Sequence, residues 1–275
     1  KDLPAEQWEA SGALTQESAV IVRGVVKTDT RQVGGVELGL SHLEVVSVAS
    51  EYPITPKEHG VDFLMDHRHL WLRAPRQQGI LRLRAEIIAA FRDFMDQEGF
   101  VLVDAPIFTP NACEGTTTLF ETQYFDDKAY LSQSGQLYME AAAMALGRVY
   151  CFGPAFRAEK SKTRRHLIEF WMMEPEWAFA TLEDVIALEE RRLVAVIART
   201  LDARAEDLKV IERDTAKLER VRAPFPRMHY NEAVEKLHQA GIAFEWGNDF
   251  GAGDETVLAQ LHESPLFVTN YPAAV

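Results

Sequence analysis

The chain has 275 residues and a net charge of −13 at neutral pH, with 47% hydrophobic and 26% charged residues. The hydrophobic and charged fractions are ordinary for a globular enzyme. The negative net charge argues against general nucleic-acid binding over the whole surface, but it does not exclude a local cluster of basic residues. The two cysteines, Cys113 and Cys151, form no CxxC pair, so neither a disulfide framework nor a structural zinc site is expected. Because no run reaches the ~18 apolar residues of a membrane span, and the N-terminus lacks a signal-peptide pattern, we expect a cytoplasmic protein.

The first predicted elements are β-strands. Residues 18–26 are rich in β-branched side chains, residues 36–49 alternate, and Gly34-Gly35 lies between them as a turn. This β module is short for a complete barrel. Residues 51–60 contain two prolines and are typical of a linker.

From about residue 61 the pattern becomes mixed α and β. An apolar stripe at helical spacing predicts an amphipathic helix over 80–98, ending at Gly99 and followed by a short strand. Ser134 is positioned to cap a second helix, from about Gln136 to Leu146. Further helices are predicted over 181–199 and 231–240.

Two predicted strands flank the basic loop KSKTRR, residues 160–165, whose length suits a hairpin. Alternation puts Arg157 and Glu159 on one face of the first strand. One face of the second strand collects His166, Ile168, Phe170, Met172, Glu174 and Glu176. If the two faces coincide, a wet sheet surface holds an arginine, three carboxylates and an exposed aromatic ring, which is costly unless a ligand covers it.

A nucleotide fits that surface. The fork of Arg157 suits bidentate phosphate recognition, Phe170 offers a ring for adenine stacking, and Glu159 can accept from an exocyclic amine. The loop cations that would meet the distal phosphates are Lys160, Lys162, Arg164, Arg165 and His166. For a basic loop alone, a solvated hairpin with surface ion pairs is the better reading, but the face-matched set favours a nucleotide site.

Several long segments, in order, carry a family resemblance. FRAEKSKTRRHLIEF resembles motif 2 of the class II aminoacyl-tRNA synthetases, and HLWLR with the segment 80–106 resembles motif 1. DHRHLWLR indicates the aspartate/asparagine/lysine subgroup, in which a β-barrel anticodon domain joins the catalytic core. Within that subgroup the chain is similar to the asparaginyl-tRNA synthetases through CEGTTTLF, LSQSGQLYME, EFWMMEPEWAF, EWGNDFG and FVTNYP.

The resemblance implies an α+β fold, a class II synthetase-type antiparallel β-sheet core flanked by helices and preceded by a partial OB-type β-barrel. It implies a partial OB-fold anticodon-binding domain over 1–50, a hinge over 51–76 and a catalytic domain over 77–275. It also implies a homodimer formed through motif 1, including Pro106, although periodicity alone makes that stripe an ordinary core face. The implied partners are L-asparagine, tRNA(Asn) and a second copy of the chain, with no membrane.

The family reaction makes asparaginyl-adenylate and pyrophosphate from asparagine and ATP, and then transfers asparagine to the 3′ end of the tRNA. The resemblance assigns Arg157 to the α-phosphate and the attacking carboxylate, a positioning and electrostatic task. It assigns Glu159 and Phe170 to adenine, and Arg165 or His166 to the γ-phosphate. ATP and Mg²⁺ are implied, and no Mg²⁺ ligand is identified in the sequence.

The amino-acid end of the site is assigned in the same way. Ser134, Gln136, Glu114 and Glu174 resemble the family positions that hold the α-amino group, with Glu114-Gly115 on a loop that closes over the substrate. For Glu114 an ordinary loop carboxylate is an equal alternative.

The choice between asparagine and aspartate depends on the helix that follows Ser134. The aspartate enzymes of the subgroup carry a lysine where this chain has Met139, and that lysine pairs with the substrate carboxylate. Glu140 shares a helix face with Gln136, four residues earlier. A carboxylate there would repel aspartate and accept from the asparagine amide. A surface helix residue is the alternative for Glu140.

Motif 3, a glycine-rich strand and helix with a terminal arginine, finds no match in the sequence. The nearest candidate, GAGDE at 251–255, lacks the arginine. We therefore expect the chain to resemble the middle of a longer synthetase, lacking the early barrel strands as well, and expect the 275 residues alone not to form the adenylate efficiently. The alternatives are an archaeal-type aspartyl-tRNA synthetase, a paralogue that amidates aspartate without tRNA, and a catalytically incomplete nucleotide- or tRNA-binding module.

Overall fold

The computed structural model describes residues 3–32, 34–113, 119–160, 166–273 and 275. The chain divides into two compact units, Lys1–Gln77 and Gln78–Val275. No helix among the described residues is both long enough and apolar enough to cross a membrane. The finer division into 1–50, 51–76 and 77–275 stays a prediction.

The first unit is built on a β-hairpin, as predicted. Its elements are α1 (Ala5–Ser11), β1 (Ala19–Thr28), β2 (Val36–Ser47), α2 (Val61–Asp66) and α3 (Arg68–Trp71). The two strands pair antiparallel, and the turn uses Gly34 and Gly35 at φ of 86° and 71°, a region that side chains other than glycine rarely adopt. Every residue of β1 is exposed and only Leu43 of β2 is buried, so the described hairpin does not close into a barrel.

The second unit carries the larger share of the core. From Pro75 onwards the elements, in chain order, are α4 (Pro75–Gln97), β3 (Val101–Leu102), β4 (Phe108–Thr109), β5 (Glu121–Tyr124), β6 (Asp127–Leu131), α5 (Gln136–Leu146), β7 (Arg148–Phe156), β8 (Glu169–Trp177), α6 (Leu182–Ala203), α7 (Ala205–Val210), α8 (Ala216–Glu219), β9 (Arg227–His229), α9 (Tyr230–Gln239), α10 (Ala252–Gln260) and β10 (Phe267–Thr269). The sheet that matters for the site has the order β3-β7-β8, with β3 parallel to β7 and β7 antiparallel to β8. Strands β4, β6 and β5 form a second, antiparallel sheet, and β9 pairs in parallel with β10.

The helix α4 confirms the predicted amphipathic helix, although it begins five residues earlier than predicted. Pro75 is its first residue, where the missing N–H of proline costs nothing and its fixed φ suits the helix. The helix ends before Gly99, which has a φ of 80°. Its buried side chain Met95 packs with Phe100 and with Tyr150 and Phe152 of β7. The helix therefore covers one face of the β3-β7-β8 sheet and leaves the other face for the site.

The GAGDE segment, the nearest candidate for motif 3 in the sequence, starts a helix. Gly251 is the N-cap residue of α10, and its N–H donates to the Asp254 carboxylate at 2.9 Å. Its glycine and acidic residues therefore serve a helix start.

Candidate active site

The register of β7 and β8 decides whether the two predicted functional faces coincide. Cys151 lies opposite Glu174, and Ala155 lies opposite Phe170. Residues directly opposite in an antiparallel pair project from the same face. The small side chains of β7 therefore lie beside Phe170 and Glu174, so the condition that the two strands share a face is met along β7 and β8.

The position of Arg157 differs from the prediction in one respect. The strand β7 ends at Phe156, so the prediction that Arg157 and Glu159 both lie on this strand is wrong. The Arg157 N–H nevertheless donates to the Ile168 carbonyl at 2.9 Å, which carries the pairing one residue further. Arg157 is half-buried at the end of the shared face, whereas Glu159 is exposed beyond the strand, where alternation no longer determines its side.

The return strand also starts later than predicted. The strand β8 begins at Glu169, so His166 lies before it and is exposed. Phe170 is the second residue of β8 and is half-buried. Two of the predicted site residues, Arg165 and Glu114, lie outside the described part of the chain.

A hydrogen-bond network joins the start of α5 to β7 and β8 around the carboxylate of Glu174. The Ser134 hydroxyl donates to Oε1 of Glu174, and the Gly135 N–H donates to Oε2 at 3.0 Å. The Cys151 thiol donates to the same Oε2 at 3.4 Å. Ser134 Oγ in turn accepts from the Gln136 N–H at 3.0 Å. The structure thus brings the predicted residues Ser134, Gln136 and Glu174 together.

The N-terminal capping of α5 differs in detail from the prediction. The N-cap residue is Gly135, and Ser134 satisfies a helix N–H from one position earlier. The helix ends before Gly147, at a φ of 83°, as expected for its glycine.

The predicted pair on the first turns of α5 is present. Gln136 Nε2 donates to Glu140 Oε1 at 2.9 Å, and both side chains belong to exposed residues. Cys113 Sγ lies 3.7 Å from Gln136 Oε1. Met139 is fully buried in a core cluster with Ala143, Val149 and Cys151, so it is not part of the exposed face that carries Gln136 and Glu140.

The shared face of β7 and β8 carries the carboxylates of Glu174 and Glu176. Burial, followed by the charges of Glu140 and Glu174, raises the pKa of Glu176 above its usual range. Burial and the charge of Glu174 raise the pKa of the Cys151 thiol to about 12, so the thiol stays protonated and can donate. A face with these charges suits a ligand that brings an ammonium group.

The raised pKa of Glu176 predicts a pH-dependent gain from Glu176→Gln. Ionised Glu176 opposes folding when the pH lies above its raised folded-state pKa, and this penalty vanishes below the ordinary carboxyl pKa of about 4.3. Thermal melts should give the variant a Tm about 1–3 °C higher at pH 8, with the difference closing as the pH falls to about 4. The control is Glu235→Gln on the exposed face of α9; a Tm gap for Glu176→Gln that persists at pH 4 would contradict the electrostatic cause.

Two residues of this network were missed by sequence reasoning. Cys151 was singled out only as one of two cysteines, because its pairing with Glu174 depends on the register across the hairpin. Gly135 has an ordinary φ, so no turn signal points to it; an added Cβ would lie 2.4 Å from Cys151 Sγ and 3.1 Å from Ala105 Cβ. The glycine is required by the close approach of β7 to the start of α5.

Gly135→Ala is therefore expected to destabilise the fold by about 1–3 kcal/mol through overpacking. Urea denaturation should show the loss in the midpoint concentration. The matched control is Gly153→Ala on β7, where an added Cβ meets no atom within 4 Å. If Cys151 is the obstacle, Gly135→Ala should cost less in a Cys151→Ala background; equal losses in both backgrounds would contradict this cause.

Pro106 lies on the connection between β3 and β4 and is exposed. It lines a cavity of about 250 Å³ that also touches Gly135, Cys151 and Glu174. Its predicted role at a dimer interface stays a prediction. Among the described residues, no group of three His, Cys, Asp or Glu side chains could hold a metal ion, so the Mg²⁺ site also stays a prediction.

The comparisons with known proteins identify the family. A family model for class II tRNA synthetases (D, K and N) matches residues 60–275. The whole chain is 58% identical to an asparagine–tRNA ligase of Desulforamulus reducens and 57% identical to one of Symbiobacterium thermophilum. The fold matches a crystal structure of asparaginyl-tRNA synthetase from Pyrococcus horikoshii complexed with asparaginyl-adenylate at a TM-score of 0.93 and 41% identity, over 98% of this chain and 63% of that one.

The chain therefore belongs to the class II tRNA synthetases of the D, K and N family. The predicted α+β class II fold is confirmed, with its antiparallel sheet and flanking helices. The chain spans about 64% of the length of the curated relatives it matches.

Proposed function

We propose that the chain belongs to an asparagine–tRNA ligase and activates L-asparagine with ATP before transfer to tRNA(Asn). The observation that carries the proposal is the hydrogen-bonded pair of Gln136 and Glu140, held beside the Glu174 network on the exposed face of α5. The similarity to asparagine–tRNA ligases over the whole chain supports the same function.

The amino-acid end of the site is proposed to bind asparagine through its two polar ends. Glu174 and Ser134 would attract the α-ammonium group; a carboxylate has about four lone-pair sites, of which three are already used here. Gln136 would help to hold the same α-amino group, and Glu140 would accept from the side-chain amide of asparagine. Glu114 would close over the amino group from the neighbouring loop.

The nucleotide end is proposed to lie at the loop end of the β7–β8 hairpin, next to the pair of Phe156 and Glu169. Phe170 would stack on adenine, with Glu159 accepting from its amine, and Arg165 or His166 would contact the γ-phosphate. Arg157 would hold the α-phosphate and the asparagine carboxylate together. The carboxylate oxygen attacks the α-phosphorus, and the bond to the β-phosphate oxygen breaks as pyrophosphate leaves. ATP would arrive with Mg²⁺, which would neutralise phosphate charge.

The remaining assignments follow the family. The β1–β2 hairpin would belong to a tRNA-binding barrel domain over residues 1–50, joined by the hinge 51–76 to the catalytic domain 77–275. Two copies would pair through α4 and the segment around Pro106. Such a protein would act in the cytoplasm.

ATP–pyrophosphate exchange tests this function. The protein at its natural full length would be assayed without tRNA, with asparagine and aspartate compared. We expect strong exchange with asparagine and little with aspartate. Exchange with aspartate would favour the aspartyl or amidating alternatives, and exchange with neither would favour a binding module.

A further inference from the structure

The buried thiol of Cys151 has no role in the chemistry proposed above. Cys151 is 3% exposed and lies on β7 directly opposite Glu174. Its sulfur donates to Glu174 Oε2, the oxygen that also accepts the Gly135 N–H. The thiol therefore contacts the residue on which the start of α5 depends.

We propose that Cys151 is a positioning residue, whose S–H group holds the Glu174 carboxylate against Ser134 and Gly135 and so fixes the first turn of α5. That turn presents Gln136 and Glu140, so the inference rests on the proposed function of this pair in binding asparagine. The contact is between neighbouring strands and a helix start, and Cys151 itself does not touch the substrate.

The geometry supports this role because the three donors to Glu174 come from two separate parts of the chain. Ser134 and Gly135 precede α5, whereas Cys151 comes from the middle of β7. Glu174 belongs to the sheet through β8, but its side chain can rotate, and the Cys151 thiol on the neighbouring strand holds the carboxylate in the orientation that the two donors at the start of α5 require. Without the thiol, Oε2 keeps only the Gly135 N–H, and the half-buried carboxylate loses one of the three hydrogen bonds that it accepts from the described residues.

The packing of the Cys151 sulfur also supports a positioning role. A Cβ on Gly135 would lie only 2.4 Å from Cys151 Sγ, so the sulfur sits directly against the backbone that starts α5. The sulfur therefore sets the distance between β7 and this backbone as well as the orientation of Glu174.

The protonation state of the Cys151 thiol is that of a hydrogen-bond donor. Burial and the nearby carboxylates of Glu174 and Glu176 raise the pKa of the thiol, which excludes the thiolate at neutral pH. Cys151 thus acts through its proton.

Infrared spectroscopy of the S–H stretch tests the contact itself. In the Cys113→Ala background, Cys151 is the only thiol in the 275 residues. We expect a band at the lower frequency of a hydrogen-bonded S–H, moving to higher frequency when Glu174→Gln replaces the charged acceptor by a neutral one. A band at the position of a free thiol would overturn the inference.

Kinetics test the consequence, in the full-length protein, through the asparagine KM and kcat of pyrophosphate exchange. Cys151→Ala should raise the asparagine KM about 10-fold, the effect of one lost hydrogen bond of about 1.4 kcal/mol, with kcat within about twofold. Cys151→Ser keeps a donor and should restore the KM to within about threefold of the original. The ATP KM should not change in either variant.

A matched control separates positioning from packing. Val149→Ala removes volume from the same face of β7 and the same core cluster, without touching a hydrogen bond of Glu174. It should lower stability and leave the asparagine KM unchanged. If Cys151→Ala behaves like Val149→Ala, or Cys151→Ser like Cys151→Ala, the inference is wrong. If the unmodified protein shows no asparagine-dependent exchange, the proposed function has failed, and the positioning role falls with it even where the S–H band is bonded.

Discussion

Replacing Arg157 with lysine is expected to lower kcat/KM for adenylate formation by about 10²- to 10³-fold, the range seen when one preorganised donor to a developing charge is lost. Arg157 is held at the end of the sheet by its backbone bond to Ile168, and it shares the face of Phe170. In the proposed reaction, Arg157 brings together two anions, the α-phosphate and the attacking carboxylate. A guanidinium fork can bind one oxygen of each, whereas a lysine offers a single point of charge.

The measurement is steady-state pyrophosphate exchange with ATP and asparagine varied in turn. Because both anions meet only in the transition state, kcat should fall with kcat/KM. The matched control is Arg220→Lys, at an exposed arginine that pairs with Glu263 at 3.4 Å and lies in the segment between α8 and β9. Exchange by Arg157→Lys within about threefold of the original would show that the arginine is not at the reacting centre.

Glu140→Lys is expected to reverse the choice of amino acid. The Glu140 side chain is one turn after Gln136 and accepts its amide at 2.9 Å, and in the proposed function it accepts from the side-chain amide of asparagine. With a cation at this place, asparagine loses its acceptor and aspartate gains a partner. Because Glu140 is exposed and solvent screens its charge, we expect the ratio of asparagine to aspartate activation to fall by about 10- to 100-fold.

Glu140→Gln distinguishes charge from shape. It retains an acceptor for the asparagine amide and removes the repulsion of aspartate, so it should admit aspartate with little loss of asparagine activity. The control is Glu235→Lys on α9, where Glu235 also follows an amide side chain, Asn231, by four residues. An unchanged ratio in Glu140→Lys would make Glu140 a surface residue of α5 and leave the selectivity to other residues.

Local patterns predicted the elements that frame the site. The stripe of α4, the glycines that end α4 and α5, and the strands on both sides of the basic loop depend on neighbours within a few residues. Alternation predicts which side chains share a face within one strand, but not how two strands are aligned. The sequence could therefore predict only conditionally that Phe170 and Glu174 share a face with side chains of β7. Only the pairing of Cys151 with Glu174 shows that the condition is met.

The features that the sequence did not predict depend on contacts between distant segments. The close approach of Cys151 to Gly135 requires β7 and the start of α5 to be placed in three dimensions, and neither residue carries a local signal for it. Strand ends were the other source of error. The prediction extended strand alternation to Glu159, but pairing stops after Arg157. The number of paired residues in a hairpin depends on the partner strand, which alternation along one strand does not show.

The most direct measurement is a crystal structure of the protein at its natural full length with a non-hydrolysable analogue of asparaginyl-adenylate. The account predicts the asparagine amide within hydrogen-bond distance of Glu140, the ammonium group beside Ser134 and Glu174, and the phosphate on the fork of Arg157. An analogue bound with its amide away from α5, or with its phosphate away from Arg157, would contradict it.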